Sequence, residues 1–381
     1  MANSQRQKNT NGVIVGFMLS VNVLSPILSF IPNGIAILIM VPFFYLLYKN
    51  SKSILKTDIK PFVLFIFFIL SYFLCSLLVY GFEKYTWHYL FDFILFGIPY
   101  ILLPYLETNV LLIFRTLTII GIAAIPIQLG QVDFLDTSDA GTWMMVSYNI
   151  LKIAVASFIT LFYDKFKLLK LISIVNILIA VIFLTALGSR GAILGCIAAI
   201  LLLYIYRDNK TLQPFSSKFI LISTLMIISI FSFSRIMIFI SDVMNKYDIA
   251  SYSLDRIVNS LNSGSSLSSG RDKLYETALN GIEENILFGQ GIASFNNFSG
   301  NYPHNLIIQM LYEGGLFFGT PLILLTIIPL FSMNSKLGHF SRLLYIYLFS
   351  AGIVQLIFSS YFWMSILFWY WIGLGLKRIK I

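Results

Sequence analysis

Apolar runs close to twenty residues long recur from Gly12 to Leu376, and they limit what this chain can fold into. They lack the period-2 alternation of barrel strands, and about 20 apolar residues is the length an α-helix needs to cross a bilayer. Only 11% of the 381 residues are charged, 58% are hydrophobic and the mean hydropathy is +0.84. A soluble domain carries roughly 25% charged residues, so this chain cannot coat itself for water. Lipid offers no partner to an exposed backbone, and helices satisfy theirs within one segment. The sequence therefore predicts an all-α integral membrane protein, a single polytopic domain over 1–381.

About twelve spans are expected from run length: 12–31, 34–48, 61–80, 88–106, 110–129, 143–163, 168–187, 191–206, 218–240, 304–331, 340–358 and 361–376. Lysine and arginine collect on cytoplasmic loops. With the N-terminus inside, roughly 17 of the 26 basic residues fall on that side. Both termini are then cytoplasmic, and the long polar segment 242–303, between predicted helices nine and ten, is outside. Trp87 and Trp143 sit at the outer interface, and the loop with Asp133, Asp136 and Asp139 is on the same side. The net charge of +9 follows from this topology and calls for no nucleic acid. Cys75 and Cys196 lie inside apolar runs and show no pairing pattern.

The polar segment contains short helices. Residues 242–261 suggest one, and 262–270 form a flexible Ser/Gly stretch. Leu274, Ala278, Leu279 and Ile282 then recur at helical spacing from a Ser269 cap, with Gly281 as the expected stop. Phe288-Gly289-Gln290-Gly291 reads as a turn with close backbone approach, and Tyr302-Pro303-His304 as the start of the tenth span, with proline in its first turn.

Several polar residues are candidates for chemistry. Arg190 stands at a turn between two apolar runs, where either a functional cation or an arginine snorkelling to lipid headgroups fits. Arg271 lies at a helix start, which disfavours a cation but suits an anion held by guanidinium and free amides together. The competing reading is a solvated charge paired with Asp272 or Glu276. His304 joins the polar segment to a span, as general base or as interfacial cap, since free imidazole titrates at about pH 6.5. Asn305, Gln309 and Glu313 share one helix face beneath it. Glu313 is deep enough to need a partner, either a substrate group or an ion pair with an arginine or Lys152. The sequence contains no zinc-type His/Cys spacing, Gly-rich phosphate loop or nucleophile elbow, and it calls for no metal and no cofactor.

In order, Gly188-Ser189-Arg190-Gly191, Ser269-Gly270-Arg271, Gly289-Gln290-Gly291, His304-Asn305 and Glu313-Gly314-Gly315 resemble the O-antigen polymerase and ligase superfamily of bacterial envelope glycosyltransferases. Two positions depart from its pattern. Leu274-Tyr275 stands where many relatives have a tryptophan, and Leu287-Phe288 where a proline is usual. The resemblance implies a GT-C-like helical bundle in the bacterial inner membrane, acting at its outer face on a glycan carried by undecaprenyl diphosphate, with metal-independent, inverting transfer. It makes His304, Arg190 and Arg271 catalytic, the arginines on the lipid diphosphate and His304 on the acceptor hydroxyl. Arg256, Tyr275, Asn305 and Glu313 are the expected substrate-binding residues. Membrane lipid, a chain-length regulator protein and a flippase are the implied partners. Polymerisation of repeat units into O-antigen or capsular polysaccharide is the leading expectation, ahead of ligation of the finished glycan to lipid A core. A glycan-lipid transporter without chemistry is the alternative from a different class.

Overall fold

The computed structural model describes residues 2–28, 34–81, 83–131, 140–187, 189–206, 271–332, 338–358 and 361–379, with isolated positions between 235 and 258. Its elements are helices: α1 (Ala2–Leu19), α2 (Gly34–Ile54), α3 (Lys60–Tyr80), α4 (Lys84–Tyr105), α5 (Val110–Leu129), α6 (Ala140–Tyr163), α7 (Lys167–Ala186) and α8 (Arg190–Tyr206). After the polar segment come α9 (Arg271–Glu284), α10 (Ser294–Ser299), α11 (Leu306–Phe331), α12 (His339–Phe358) and α13 (Ile366–Leu376).

Among the described residues, eight helices are long and apolar enough to cross a membrane, α2 to α7 with α11 and α12. The expected span 218–240 lies almost wholly outside the described residues. The first expected span is displaced toward the N-terminus: α1 begins at Ala2 and stops at Leu19, where a turn leads to the short helix Ser25–Leu28. In α2 the helix runs on past Tyr48 to Ile54, because the polar residues after it keep helical hydrogen bonding until the Lys56–Thr57 turn.

Span α7 and helix α13 mark the extremes of packing. Along α7, Leu171, Ile174, Leu178 and Ile182 are exposed, the pattern of a helix with one face toward lipid. By contrast α13 is apolar all round and buried all round, with Trp369, Tyr370 and Trp371 at 1% exposure or less. At 11 residues it is shorter than the length a bilayer crossing needs, and it packs in the interior of the bundle against α4 and α11. Its indoles are satisfied by carbonyls, Trp371 Nε1 donating to Thr326 at 2.8 Å and Trp369 Nε1 to Trp363 at 2.9 Å.

Candidate active site

Two glycine motifs build the frame. Gly289 and Gly315 both have positive φ, 71° and 56°, a region that glycine enters without a Cβ clash. The backbones at the two positions also touch: a Cβ on Gly289 would meet Gly315 N at 2.5 Å, and one on Gly315 would meet Gly289 N at 2.5 Å. Around this contact, Gln290 N donates to Tyr312 O at 2.7 Å, Gly291 N to Glu313 O at 3.0 Å, Leu316 N to Ile286 O at 2.9 Å and Phe317 N to Leu287 O at 2.9 Å. The Gly-Gln-Gly turn therefore lies directly on a break in α11, where Gly315 interrupts the helix and frees carbonyls that the turn then satisfies. From the other side α3 grips the same turn, Tyr80 Oη donating to Gly289 O at 2.6 Å and Ser76 Oγ accepting from Ile292 N at 2.8 Å.

Glu313 is part of this clasp. Its side chain is 2% exposed and receives Gln309 Nε2 at 2.8 Å and Trp363 Nε1 at 2.9 Å, with a further hydrogen bond from the Ala293 backbone. Among the described residues it pairs with neither an arginine nor Lys152, whose ammonium donates to Asn149 Oδ1 at 3.1 Å. The carboxylate thus joins three segments far apart in the chain: the turn at Ala293, the break in α11 and the Trp363 segment before α13. A lone buried carboxylate is costly, and three donors offset that cost.

The clasp delivers His304. Helix α11 starts at Leu306, not at His304, because Asn305 is its N-cap: Oδ1 accepts from Ile307 N at 3.0 Å and Ile308 N at 3.1 Å. Pro303 accordingly precedes the helix and is not in its first turn. His304 itself sits in the left-handed region at φ 54°, uncommon for a residue with a Cβ and a conformation that clusters at functional sites. Its ring lies 4.2 Å, centroid to centroid, from Tyr302.

Arg271 opens α9 and turns into the bundle. One guanidinium nitrogen donates to the Phe358 carbonyl at the end of α12, and the other reaches Met144 Sδ on α6 at 3.8 Å. Neither Asp272 nor Glu276 is its ion-pair partner. Among the described residues its partners are a neutral carbonyl and a thioether, with no carboxylate paired to the guanidinium. The guanidinium acts on Tyr302: burial pushes that phenol above its usual value, and Arg271 partly offsets the shift. Arg271 therefore lies within electrostatic reach of the tyrosine whose ring contacts His304. The start of α8 is close by, since a Cβ on Gly191 would clash with Tyr148 Oη and meet Phe358 Cβ at 3.1 Å. That puts the backbone next to Arg190 beside the carbonyl that holds Arg271.

From Tyr302 an aromatic path continues into the bundle. Tyr302 lies 5.4 Å from Tyr361, which stacks on Tyr89 of α4 at 5.3 Å and donates from its hydroxyl to Asp92 Oδ2 at 3.1 Å. Burial, with the Asp92 carboxylate beside it, keeps the Tyr361 phenol far above its ordinary value. Neither Tyr302 nor Tyr361 is among the site residues expected from the sequence. Tyr302 had one signal, its place two residues before His304 at the end of the polar segment. Tyr361 had none, because 269 positions separate it from Asp92 and its neighbourhood reads as an ordinary turn between spans.

Of the other expected residues, Tyr275 is on α9 and makes no hydrogen bond or ring contact with this cluster, while Arg256 lies outside the described residues. So do Asp133, Asp136, Asp139 and the Ser269 cap. Gly281 does not end α9, which continues to Glu284. It is small because the Tyr312 ring lies over it, where a Cβ would clash with Tyr312 Cε2.

A comparison with curated proteins gives no match. Residues 175–323, the stretch that contains the glycine clasp, Arg271, His304 and Glu313, match the family described as O-antigen ligase, which supports a place for this chain in the O-antigen ligase and polymerase-like superfamily.

Proposed function

We propose that this chain is a membrane glycosyltransferase that polymerises undecaprenyl-diphosphate-linked repeat units into O-antigen or capsular polysaccharide at the outer face of the bacterial inner membrane. The observation that supports this reading is that Arg271 is held at the Phe358 carbonyl beside the start of α8, within electrostatic reach of Tyr302, whose ring contacts His304. The acceptor hydroxyl attacks the anomeric carbon while its proton passes to His304. The bond to the diphosphate oxygen breaks, and its electron pair leaves with the diphosphate, inverting the anomeric centre. Arg271, its charge met by neutral acceptors among the described residues, stabilises the negative charge on the departing group, with Arg190 as the second cation. Asn305 and Glu313 serve this site indirectly, one by capping α11 below His304 and the other by fixing the clasp.

A second reading, ligation of the finished glycan to lipid A core, draws support from the description of the matching family. Donor and leaving group are the same in both reactions, and only the acceptor differs. Deletion of the gene followed by a lipopolysaccharide gel separates them. Core plus a single repeat supports the polymerase, bare core the ligase, and an unchanged ladder rejects both. Release of undecaprenyl diphosphate by the purified protein tests for transfer as such, because a transporter without chemistry releases none.

A further inference from the structure

A cavity of about 300 Å³ opens between the ends of α3 and α4 and the segment that includes Gln290 and α10. That is the small end of the range for ligand pockets, room for one ring and not for an extended chain. Its lining is uncharged except for one carboxylate: Ser76 and Thr86 offer hydroxyls, Gln290 and Asn297 amides, Glu83 the carboxylate and Phe298 an apolar ring. No lysine or arginine lines it, so a diphosphate has no partner there.

Most of these groups already have structural duties. Thr86 Oγ1 donates to Ile292 O at 3.3 Å, Ser76 accepts from Ile292 N, and Gln290 Nε2 donates to Gly281 O at 2.7 Å. Two are uncommitted among the described residues. Glu83, at the cap of α4, makes no side-chain capping bond and no ion pair, and the Asn297 side chain makes no hydrogen bond. Phe298 beside them is 76% exposed and leaves one ring face open at the cavity. A carboxylate that can accept from neighbouring hydroxyls, an amide that can donate and accept, and an open apolar ring suit one chemical class, a neutral polyhydroxylated ring.

Position ties the cavity to the catalytic cluster. Thr86 lines it, and one helical turn further along α4 Tyr89 stacks on Tyr361, the neighbour of Tyr302. Ile292 forms part of its wall, and the next residue, Ala293, is held by Glu313. We infer that this cavity is a saccharide subsite that seats one neutral sugar ring of the glycan substrate at a distance from its diphosphate, with Glu83 and Asn297 as its recognition groups. The assignment of that ring to the glycan substrate rests on the transferase reading above.

The test uses the full chain in lipid nanodiscs and a panel of methyl glycosides (glucoside, galactoside and N-acetylglucosaminide) observed by saturation-transfer NMR. At least one glycoside receives saturation from the unaltered protein. The affinity falls about tenfold in Glu83→Gln and in Asn297→Ala, and Ser294→Trp, which fills the cavity, abolishes binding. Glu83 is exposed, so its substitution leaves the fold intact. Absence of transfer from every glycoside to the unaltered protein overturns the inference, as does transfer that persists in all three variants. No turnover is needed for this readout. A protein that binds glycoside but releases no undecaprenyl diphosphate keeps the subsite and loses the transferase reading, whereas one that releases lipid diphosphate and binds no glycoside does the reverse.

Discussion

Arg115 and Arg271 are both helical arginines in an apolar bundle, yet the protein treats them in opposite ways. Arg115, on α5, meets Asp164 through two nitrogens, Nε at 2.5 Å and Nη2 at 3.1 Å, and its guanidinium lies 4.6 Å from the Phe166 ring centroid. Asp164 is completely buried and caps the chain entering α7 by accepting from Phe166 N at 2.9 Å. Arg271 is given a carbonyl and a sulfur. The two sites lie at opposite ends of α6, about 30 Å apart by helical rise. A cation matched by a carboxylate and an aromatic face is spent on holding helices together. On the proposed reading, a cation held by neutral acceptors keeps its field for the substrate, and that difference would separate the two roles where the residue type does not.

The contrast can be broken most directly at Arg271. We expect Arg271→Ala to lower undecaprenyl diphosphate release by about a thousandfold, roughly 4 kcal/mol of transition-state stabilisation, with unaltered thermal unfolding. Normal release from this variant removes the arginine from the reaction. Arg115→Ala should do the converse. It strands the Asp164 charge and costs about 3 kcal/mol of stability, read as a lower unfolding temperature, while turnover per folded molecule is retained. Equal loss of turnover in both variants erases the distinction.

His304→Asn sharpens the site side of the comparison, because asparagine also tolerates the left-handed backbone but cannot take the proton. Transfer should fall about a hundredfold with lipid-linked donor still bound. Loss of donor binding instead assigns the histidine to architecture. The smallest expected effect is Arg271→Lys, about tenfold slower, since lysine supplies charge without the fork. Full activity there reduces the arginine to a point charge.

Much of the bundle was readable from hydropathy because burying or exposing an apolar face to lipid is a local property of each run. Helix boundaries were read less well where a distant residue decides them. Gly281 looks like a stop signal, but Tyr312, on another helix, makes glycine necessary there for close packing. Pro303 looks like a first-turn proline, yet Asn305 caps the helix two residues later. The helix of the last expected span, α13, is confined to Ile366–Leu376 and is enclosed by protein, which its uniform apolar sequence does not announce. In the candidate site, Arg271 and His304 were conspicuous as polar residues in an apolar chain. The tyrosines linking them to Asp92 were not, since aromatic residues are everywhere in this sequence and only the fold selects which ones meet. Glu313 was conspicuous too, but its partner Trp363 is 50 positions away and nothing local announces it.

The contact between Ser76 and Ile292 joins positions 216 residues apart, and the Gly289–Gly315 contact needs α11 in place. During synthesis, α3 therefore waits through more than half of the chain before its partner turn exists. The turn in turn stays unsupported until α11 has entered the bilayer and broken at Gly315. A nascent chain holds His304 in no fixed place before that moment. Timing of assembly is thus written into the glycine clasp: the pieces that would act on a lipid-linked glycan come together only once nearly all the helices are inserted.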